Sequence, residues 1–372
     1  MTGSLRITIV QGAFFPVPPV LGGAVEKFWE RMGCEFASRG HTVTHFSRAY
    51  PGLPSEELRE GVRHVRVRGS EVPSSLIVLK ALDLAYTTRL LGKLPEADIL
   101  VSNTFWLPFL SRNRTRGRVV VDVQRMPKGQ LKYYPESVFF RANSGAVREA
   151  VCRELPSAHK RLVTIPNSLP FSPAITSGTA PGSRQVLYAG RVHPEKGLEL
   201  LVKAAAFLPE GWSVKILGPH RVSEGGGGEA YHEGLRSLAA GLPVEFVAPV
   251  YDPALLSRHY AASELFVYPS VAEKGETFGL APLEAMAHGC VPVVSALDCF
   301  RDFLVPDVNG LVFDHRSPEA SSLLGKALRG LASDEGLRHR LASGARKVVE
   351  THSPEAVVAR FLDYFQGIAG VR

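Results

Sequence analysis

Cysteine is scarce, with Cys34, Cys152, Cys290 and Cys299 scattered along 372 residues. None of them forms a pair with metal-ligand spacing, and they make no disulfide framework. Buried free thiols in a reducing compartment are expected. No apolar run approaches the roughly 18 residues of a spanning helix, so none is expected. The first residues run straight into a β-rich segment without a long apolar stretch, and no signal peptide is read there. No Gly-x-Gly-x-x-Gly follows that first strand, which argues against a nicotinamide-dependent oxidoreductase. The four glycines Gly225–Gly228 are not followed by Gly-Lys-Ser/Thr, so they read as a mobile surface loop rather than a phosphate cradle.

Hydrophobic residues make up 45% of the chain and charged residues 21%, the composition of a soluble globular protein. At this length two α/β domains are expected rather than one core. The net charge of +7 is uneven. Residues 1–180 hold 24 Lys and Arg against 14 Asp and Glu, whereas residues 181–372 hold 19 against 22. Net charge speaks to partners more than to fold, so the first half is expected to meet something acidic.

Leu5–Val10 reads as a strand. A proline-rich loop and Gly22-Gly23 follow it, and then a helix with Val25, Phe28, Trp29, Met32 and Phe36 on one face. Further strands are expected at 42–46, 62–67, 99–101, 119–123, 138–140 and 162–165, with helices between several of them. Ser, Thr, Gly and Pro then dominate up to Arg184, a linker composition. A second series starts at Gln185, with strands at 213–217, 244–247, 265–268 and 291–295 and helices at 198–207, 230–240, 253–262 and 282–288. Alternating strands and helices predict parallel sheets covered on both faces. The expected domains are 1–170, a linker over 171–184, and 185–352. In such sheets ligands bind at the carboxyl ends of the strands.

Three segments carry chemistry there. Glu276 lies in a loop after a strand, and Glu284 lies in the first turns of the next helix. Each carboxylate can accept hydrogen bonds from a vicinal diol. Between them the backbone N–H groups of Phe278, Gly279 and Leu280 lead into a helix N-terminus, a ready anion site. Arg191 and Lys196 occupy another strand-to-helix loop, where one cation pairs bidentately with phosphate and the other acts as a point charge. Gly22 and Gly23 precede the first helix. His41 reads as structural.

The series Pro269-Ser270, Glu276-x-Phe278-Gly279, Glu284-Ala-Met-Ala-x-Gly289 and Pro292–Val294 resembles the retaining glycosyltransferases of family 4. The resemblance runs over nearly the whole chain and is dense from 186 to 314. It implies the GT-B fold, in which two facing Rossmann-like domains with parallel sheets border an interdomain cleft. It further implies that the final helix, 353–368, packs back on the first domain. By the same resemblance Arg191 and Lys196 grip the donor diphosphate, Glu276 orients the sugar, and Glu284 holds the ribose. Gly22 and Gly23 let backbone amides approach the donor phosphates or the acceptor, and Pro166-Asn167 marks the interdomain crossing. Where the family often has a histidine near the donor sugar, Gln124 follows Val121–Val123 here, which puts the sugar's identity in question. Asn309–Phe313 resembles a turn after the last ribose-side helix.

Asp-x-Asp occurs nowhere, although transferases of the other main fold use it to hold a divalent metal on the diphosphate. The resemblance therefore implies a metal-independent, retaining hexosyltransferase without a cofactor, acting in bacterial polysaccharide, glycolipid or glycoconjugate synthesis. A UDP-sugar is the expected donor and a GDP-sugar the second choice. A non-catalytic nucleotide-sugar-binding subunit is the alternative. Nucleic acid is not an expected partner. The arginines Arg63, Arg66 and Arg68, and Arg112, Arg114, Arg116 and Arg118, would share a side if each segment were extended. They point to a cytoplasmic enzyme resting on an anionic inner membrane face and using a lipid-linked or otherwise anionic acceptor.

Overall fold

A computed structural model describes residues 3–111, 114–171 and 182–370. Most of the expected linker, residues 172–181, and Arg112 lie outside them. Contacts divide the chain into two compact units, Met1–Pro170 with His352–Arg372, and Phe171–Thr351.

The first unit contains strands β1 (Arg6–Val10), β2 (Thr42–Arg48), β3 (Glu56–Arg59), β4 (Val62–Val67), β5 (Ile99–Ser102), β6 (Arg118–Val123), β7 (Phe139–Ala142) and β8 (Leu162–Thr164). Its helices are α1 (Ala24–Ser38), α2 (Leu76–Leu91), α3 (Leu107–Leu110) and α4 (Gly145–Glu154). The sheet order is β3-β4-β2-β1-β5-β6-β7-β8. Every pairing is parallel except β3 with β4. That antiparallel strand, Glu-Glu-Leu-Arg, is short and charged, which blunts an exposed edge.

In the second unit the strands are β9 (Gln185–Ala189), β10 (Ser213–Leu217), β11 (Val244–Val247), β12 (Leu265–Tyr268), β13 (Val291–Ser295) and β14 (Leu311–Phe313). They form an all-parallel sheet ordered β11-β10-β9-β12-β13-β14. The helices are α5 (Leu198–Ala204), α6 (Glu229–Leu238), α7 (Pro253–Ala261), α8 (Leu280–His288), α9 (Ala320–Ser333), α10 (Glu335–Arg346) and α11 (Val348–His352). The last helix, α12 (Pro354–Ala369), belongs to the first unit. There Phe361 meets Trp29 at 5.2 Å and Phe36 edge-on at 6.1 Å. The periodic face of α1 thus finds its partner more than 300 residues away in sequence.

Four sequence expectations need correction. Asn309–Phe313 is not simply a turn, because Leu311–Phe313 is the edge strand β14, paired with β13. The glycines Gly225–Gly228 are built into the fold: their amides bond to the carbonyls of Val222, Arg221, Val192 and His220. A Cβ on Gly227 would come within 2.7 Å of Pro194, so the run is a wedge between loops rather than a slack linker. The first arginine cluster is not a face either. Arg66 is fully buried on β4 and pairs with Glu57, whereas Arg63 is exposed and pairs with Glu56 at 2.8 Å. Arg114–Arg116 forms a turn of 3-10 helix, so the alternate-side argument for the second cluster lapses as well. Cys290 and Cys299 are buried free thiols, and Cys34 and Cys152 are half-buried ones.

Candidate active site

β9 ends at Ala189, and the chain turns at Gly190 (φ 158°). A Cβ there would sit 2.9 Å from the Tyr188 hydroxyl, which instead donates to the Arg191 carbonyl at 2.8 Å. The Arg191 guanidinium is half-exposed and anchored at both ends, to the Gly225 carbonyl at 2.7 Å and the Glu195 carboxylate at 2.6 Å. His193 accepts from the Glu195 amide, and Pro194–Lys196 forms one 3-10 turn. Gly197 then takes a left-handed conformation (φ 63°), where a side chain would run into the Pro269 carbonyl. The loops after β9 and β12 are laced together there: the Val271 amide and the Ser270 hydroxyl both donate to the Glu195 carbonyl, at 2.9 and 3.2 Å.

This lacing delivers Lys196 to Glu276. The ammonium donates to the carboxylate at 2.7 Å, and the two side chains are only 9% and 12% exposed. Tyr268, from the end of β12, lies under the ammonium at 5.3 Å and stacks on Tyr188 from β9 at 5.8 Å. Burial, with Glu276 adding to it, holds both phenols far above their ordinary range. They stay neutral and can only share or donate a proton. An ion pair this enclosed is costly unless its remaining bonding capacity is used.

Beyond Glu276 the chain passes Phe278, which is buried against Phe303 at 5.6 Å, and reaches Gly279. Gly279 (φ 83°) caps α8 in a left-handed conformation, and no side chain caps that helix. A Cβ on Gly279 would approach Phe300 to 2.5 Å, so only glycine fits. Leu280 begins α8. Glu284, one turn further on, accepts from the Tyr260 hydroxyl at 3.1 Å. Lys196 and Glu276 are thus in direct contact, Arg191 is on the same loop, and Phe278, Gly279, Leu280 and Glu284 line the route into α8.

The other expected residues belong to the first unit. Gly22 (φ 80°) and Gly23 (φ 102°) precede α1, and Gly23 caps it. A Cβ on Gly23 would collide with Glu26. Glu26 is a residue the sequence reading passed over: its buried carboxyl is pushed up by burial, against the pull of its own amide and Arg125. Gln124 follows β6 and is already engaged. Its amide donates to Asp122 at 2.9 Å and accepts from Asn143 and Asn167 at 3.2 and 3.1 Å. Asp122 also accepts from the Trp29 indole at 2.6 Å and from Arg141 at 2.8 Å, with both charged side chains fully buried. Sequence reasoning missed this network and the two stacked tyrosines. The one available signal was a tyrosine near the carboxyl end of β9 and another at the end of β12.

Comparison with known proteins places these observations. Residues 176–348 match the family described as Glycosyl transferases group 1. A D-inositol 3-phosphate glycosyltransferase of Xylanimonas cellulosilytica is 33% identical over 183 residues, covering 48% of this chain and 41% of that protein. The chain therefore spans about two fifths of that relative's length. Sucrose-phosphate synthase from Thermosynechococcus elongatus superposes with a TM-score of 0.80 at 19% identity, covering 99% of this chain and 100% of that one. Anabaena HepE in complex with UDP and glucose does so at 0.72 and 17%, covering 98% and 100%. The fold is thus two α/β domains of the GT-B type.

Proposed function

We propose that this chain is a retaining, metal-independent glycosyltransferase that moves a hexose from a nucleoside-diphosphate donor to an acceptor hydroxyl. The buried Lys196–Glu276 pair at the carboxyl edge of a parallel sheet carries the reading. In the free protein the two charges neutralise each other. When donor enters, its diphosphate replaces Glu276 as the partner of Lys196, with Arg191 beside it. The freed carboxylate of Glu276 accepts from the sugar hydroxyls. The amides around Gly279, at the uncapped start of α8, face the diphosphate, and Glu284 accepts from the ribose. The bond from the anomeric carbon to phosphate oxygen breaks as the acceptor oxygen adds on the same face. The leaving phosphate takes the acceptor's proton, so no separate base is required. Positive charge from Lys196 and Arg191 does the work a metal does elsewhere.

UDP is the favoured nucleotide, because several structures of like fold contain it, among them HepE. The test is direct. UDP, GDP and ADP are compared by thermal shift, and the purified chain is then given the UDP-hexose with and without EDTA. Transfer or donor hydrolysis with retained anomeric configuration, unchanged by EDTA, is expected. Nucleotide binding without any donor cleavage would instead identify a non-catalytic subunit, and a strict Mg²⁺ requirement would sink the metal-independent mechanism.

The acceptor is assigned to an anionic lipid surface, on different residues from the two arginine clusters. Leu76, Ile77 and Val78 at the start of α2, with Val72 before it, are 46–82% exposed; Lys80 is exposed on the next turn, and Arg89 and Lys93 are exposed at the far end of the helix. No described helix is long and apolar enough to cross a membrane. Apolar side chains flanked by cations suit peripheral contact with anionic headgroups, each cation adding about 1 kcal/mol. Co-sedimentation with anionic but not neutral vesicles, lost in Leu76→Ser/Ile77→Ser, is expected. Equal and negligible binding to both vesicle types removes the membrane from the proposal.

A further inference from the structure

The loop after β10 and the start of α6 bring together two histidines and a glutamate, none of which is assigned to the donor. His220 Nε2 lies 3.1 Å from one Glu229 carboxylate oxygen, and His232 Nδ1 lies 3.9 Å from the other. The ligand atoms of all three side chains lie within 4.8 Å of one another, the one such group among the described residues. The two imidazoles stack at 4.2 Å and 12°, and Phe246 closes the far side of His232 edge-on at 5.3 Å. The backbone is fixed by the glycine wedge. The Gly228 amide bonds to the His220 carbonyl at 2.8 Å, and the His232 amide bonds to the Gly228 carbonyl at 3.2 Å. Glu229 and His232 then fall one turn apart on α6, on the same face.

We infer that His220, Glu229 and His232 form a site for a divalent transition metal of the zinc type. His232 Nδ1 is buried and has no hydrogen-bond partner, an arrangement that leaves a lone pair desolvated at a cost and that a metal ion removes. Tetrahedral zinc with bonds of about 2.0–2.1 Å sets its ligands roughly 3.3 Å apart. The observed separations lie within about 1.5 Å of that, and because the two rings stack nearly parallel, one imidazole must rotate out of the stack to bring its lone pair onto a common ion. Two imidazoles and a carboxylate are a ligand set that zinc takes. Glu229 is 69% exposed while the histidines are 24% and 12% exposed, so one side of the ion faces water, which completes the coordination. The ion would clip the loop after β10 to α6. That loop also carries Gly225, whose carbonyl seats Arg191, but no donor-binding side chain is used as a ligand.

The full chain, dialysed against chelator and then titrated with Zn²⁺ by calorimetry, should bind one ion. Co²⁺ in its place should give the visible absorption of a four- or five-coordinate centre, and the melting temperature should rise with metal. Glu229→Gln, an exposed and conservative change, should weaken binding about 10-fold without moving the metal-free melting temperature. His232→Phe, which keeps the stack on His220, should weaken it more than about 100-fold, beyond what loss of an outer-sphere partner costs. Absence of a saturable site, or equal affinity in wild type and both variants, overturns the assignment.

Discussion

Replacing Lys196 by methionine removes one charge from a pair whose side chains are 9% and 12% exposed, and leaves Glu276 enclosed beside two tyrosines that stay neutral. Breaking a fully buried pair costs about 3–5 kcal/mol. The residual exposure here sets the cost nearer about 2–3 kcal/mol, or about 4–12 °C in the melting temperature of a unit this size. Turnover should fall by about 10²–10³, the scale of one preorganised electrostatic contact. Glu276→Gln should destabilise less, because the amide still accepts from the ammonium, and should cripple transfer because it holds the sugar hydroxyls less well. The double variant Lys196→Met/Glu276→Gln removes both charges at once. It should recover stability to within about 1 kcal/mol of wild type, since neutral pairs of similar volume replace buried ion pairs with little penalty.

The discriminating measurement is activity in that double variant. A pair that serves only to hold two loops together would give activity back along with stability. A pair that grips donor would regain stability and remain at least about 10²-fold slow. Urea unfolding followed by tryptophan fluorescence reads the first quantity, and release of nucleoside diphosphate from the donor reads the second. If turnover follows stability across all three variants, Lys196 and Glu276 are scaffolding and the donor site lies elsewhere.

Two more outcomes follow from buried charge in the first unit. Asp122→Ala strands Arg141, whose side chain is fully buried, and should cost about 3–5 kcal/mol in urea unfolding; a loss below about 1 kcal/mol would mean that solvent reaches the guanidinium. Burial raises the Asp83 carboxyl to about 6, opposed by the amides of Phe105 and Trp106. A folded pKa above the unfolded one favours the fold below about pH 4 and loses that contribution as pH rises through about 6, about 3 kcal/mol by neutrality. Asp83→Asn is uncharged throughout, so the stability difference between wild type and variant should shift in the variant's favour by about that amount from pH 4 to pH 8, and a flat difference refutes the assignment. The difference is the quantity to read because His64, held near 4 by burial and by Arg59 and Arg66, pulls the raw profile the other way as pH falls.

The second unit was legible because its central strands β12 and β13 are buried on both faces and read as continuous apolar runs, while β10 and β11 are short β-branched or aromatic runs bounded by turn residues. β10, β11, β12 and β13 begin and end where the residue pattern places them. β3 escaped notice because Glu-Glu-Leu-Arg has neither alternation nor β-branching, and β14 because three residues beside Asn309-Gly310 look like a turn. Residue types pointed to Arg191, Lys196 and Glu276, but their mutual contact is a product of loops 80 residues apart that join through Gly197 and Glu195. Charge counting went further astray. An arginine contributes equally to net charge whether it is exposed like Arg63 or sealed like Arg66; the two are three positions apart and so on opposite faces of β4, and Arg66 is enclosed by the Val17 and Pro54 carbonyls and Glu57. The commitment of Gln124 to three neighbours, on β6 and in the segments after β7 and β8, is equally invisible along the chain.

Among the described residues the most enclosed ion pair of each unit is Asp122–Arg141 in the first and Lys196–Glu276 in the second, and the two differ in how much bonding capacity remains. Asp122 accepts from Trp29, Gln124 and Arg141, while Arg141 donates to Asp122, Asn167 and the Ile165 carbonyl and lies against the rings of Phe28 and Phe361. Every guanidinium nitrogen and both carboxylate oxygens are bonded, and both side chains are sealed, so this pair holds structure together. Lys196 has three donors, and its contact with Glu276 uses one of them. The pair stands at the carboxyl edge of its sheet, where the strands hand over to loops, and it keeps some exposure. A buried charge pair that keeps capacity for a ligand is expensive to maintain in an empty protein. The energy is recovered when an anion and a set of hydroxyls arrive together, and a nucleotide-activated sugar brings both in one molecule. The same residue types therefore separate into scaffold and site by saturation, which predicts that Asp122→Ala lowers stability far more than it lowers turnover per folded molecule, whereas Lys196→Met lowers turnover per folded molecule by about 10²–10³ in addition to its cost in stability.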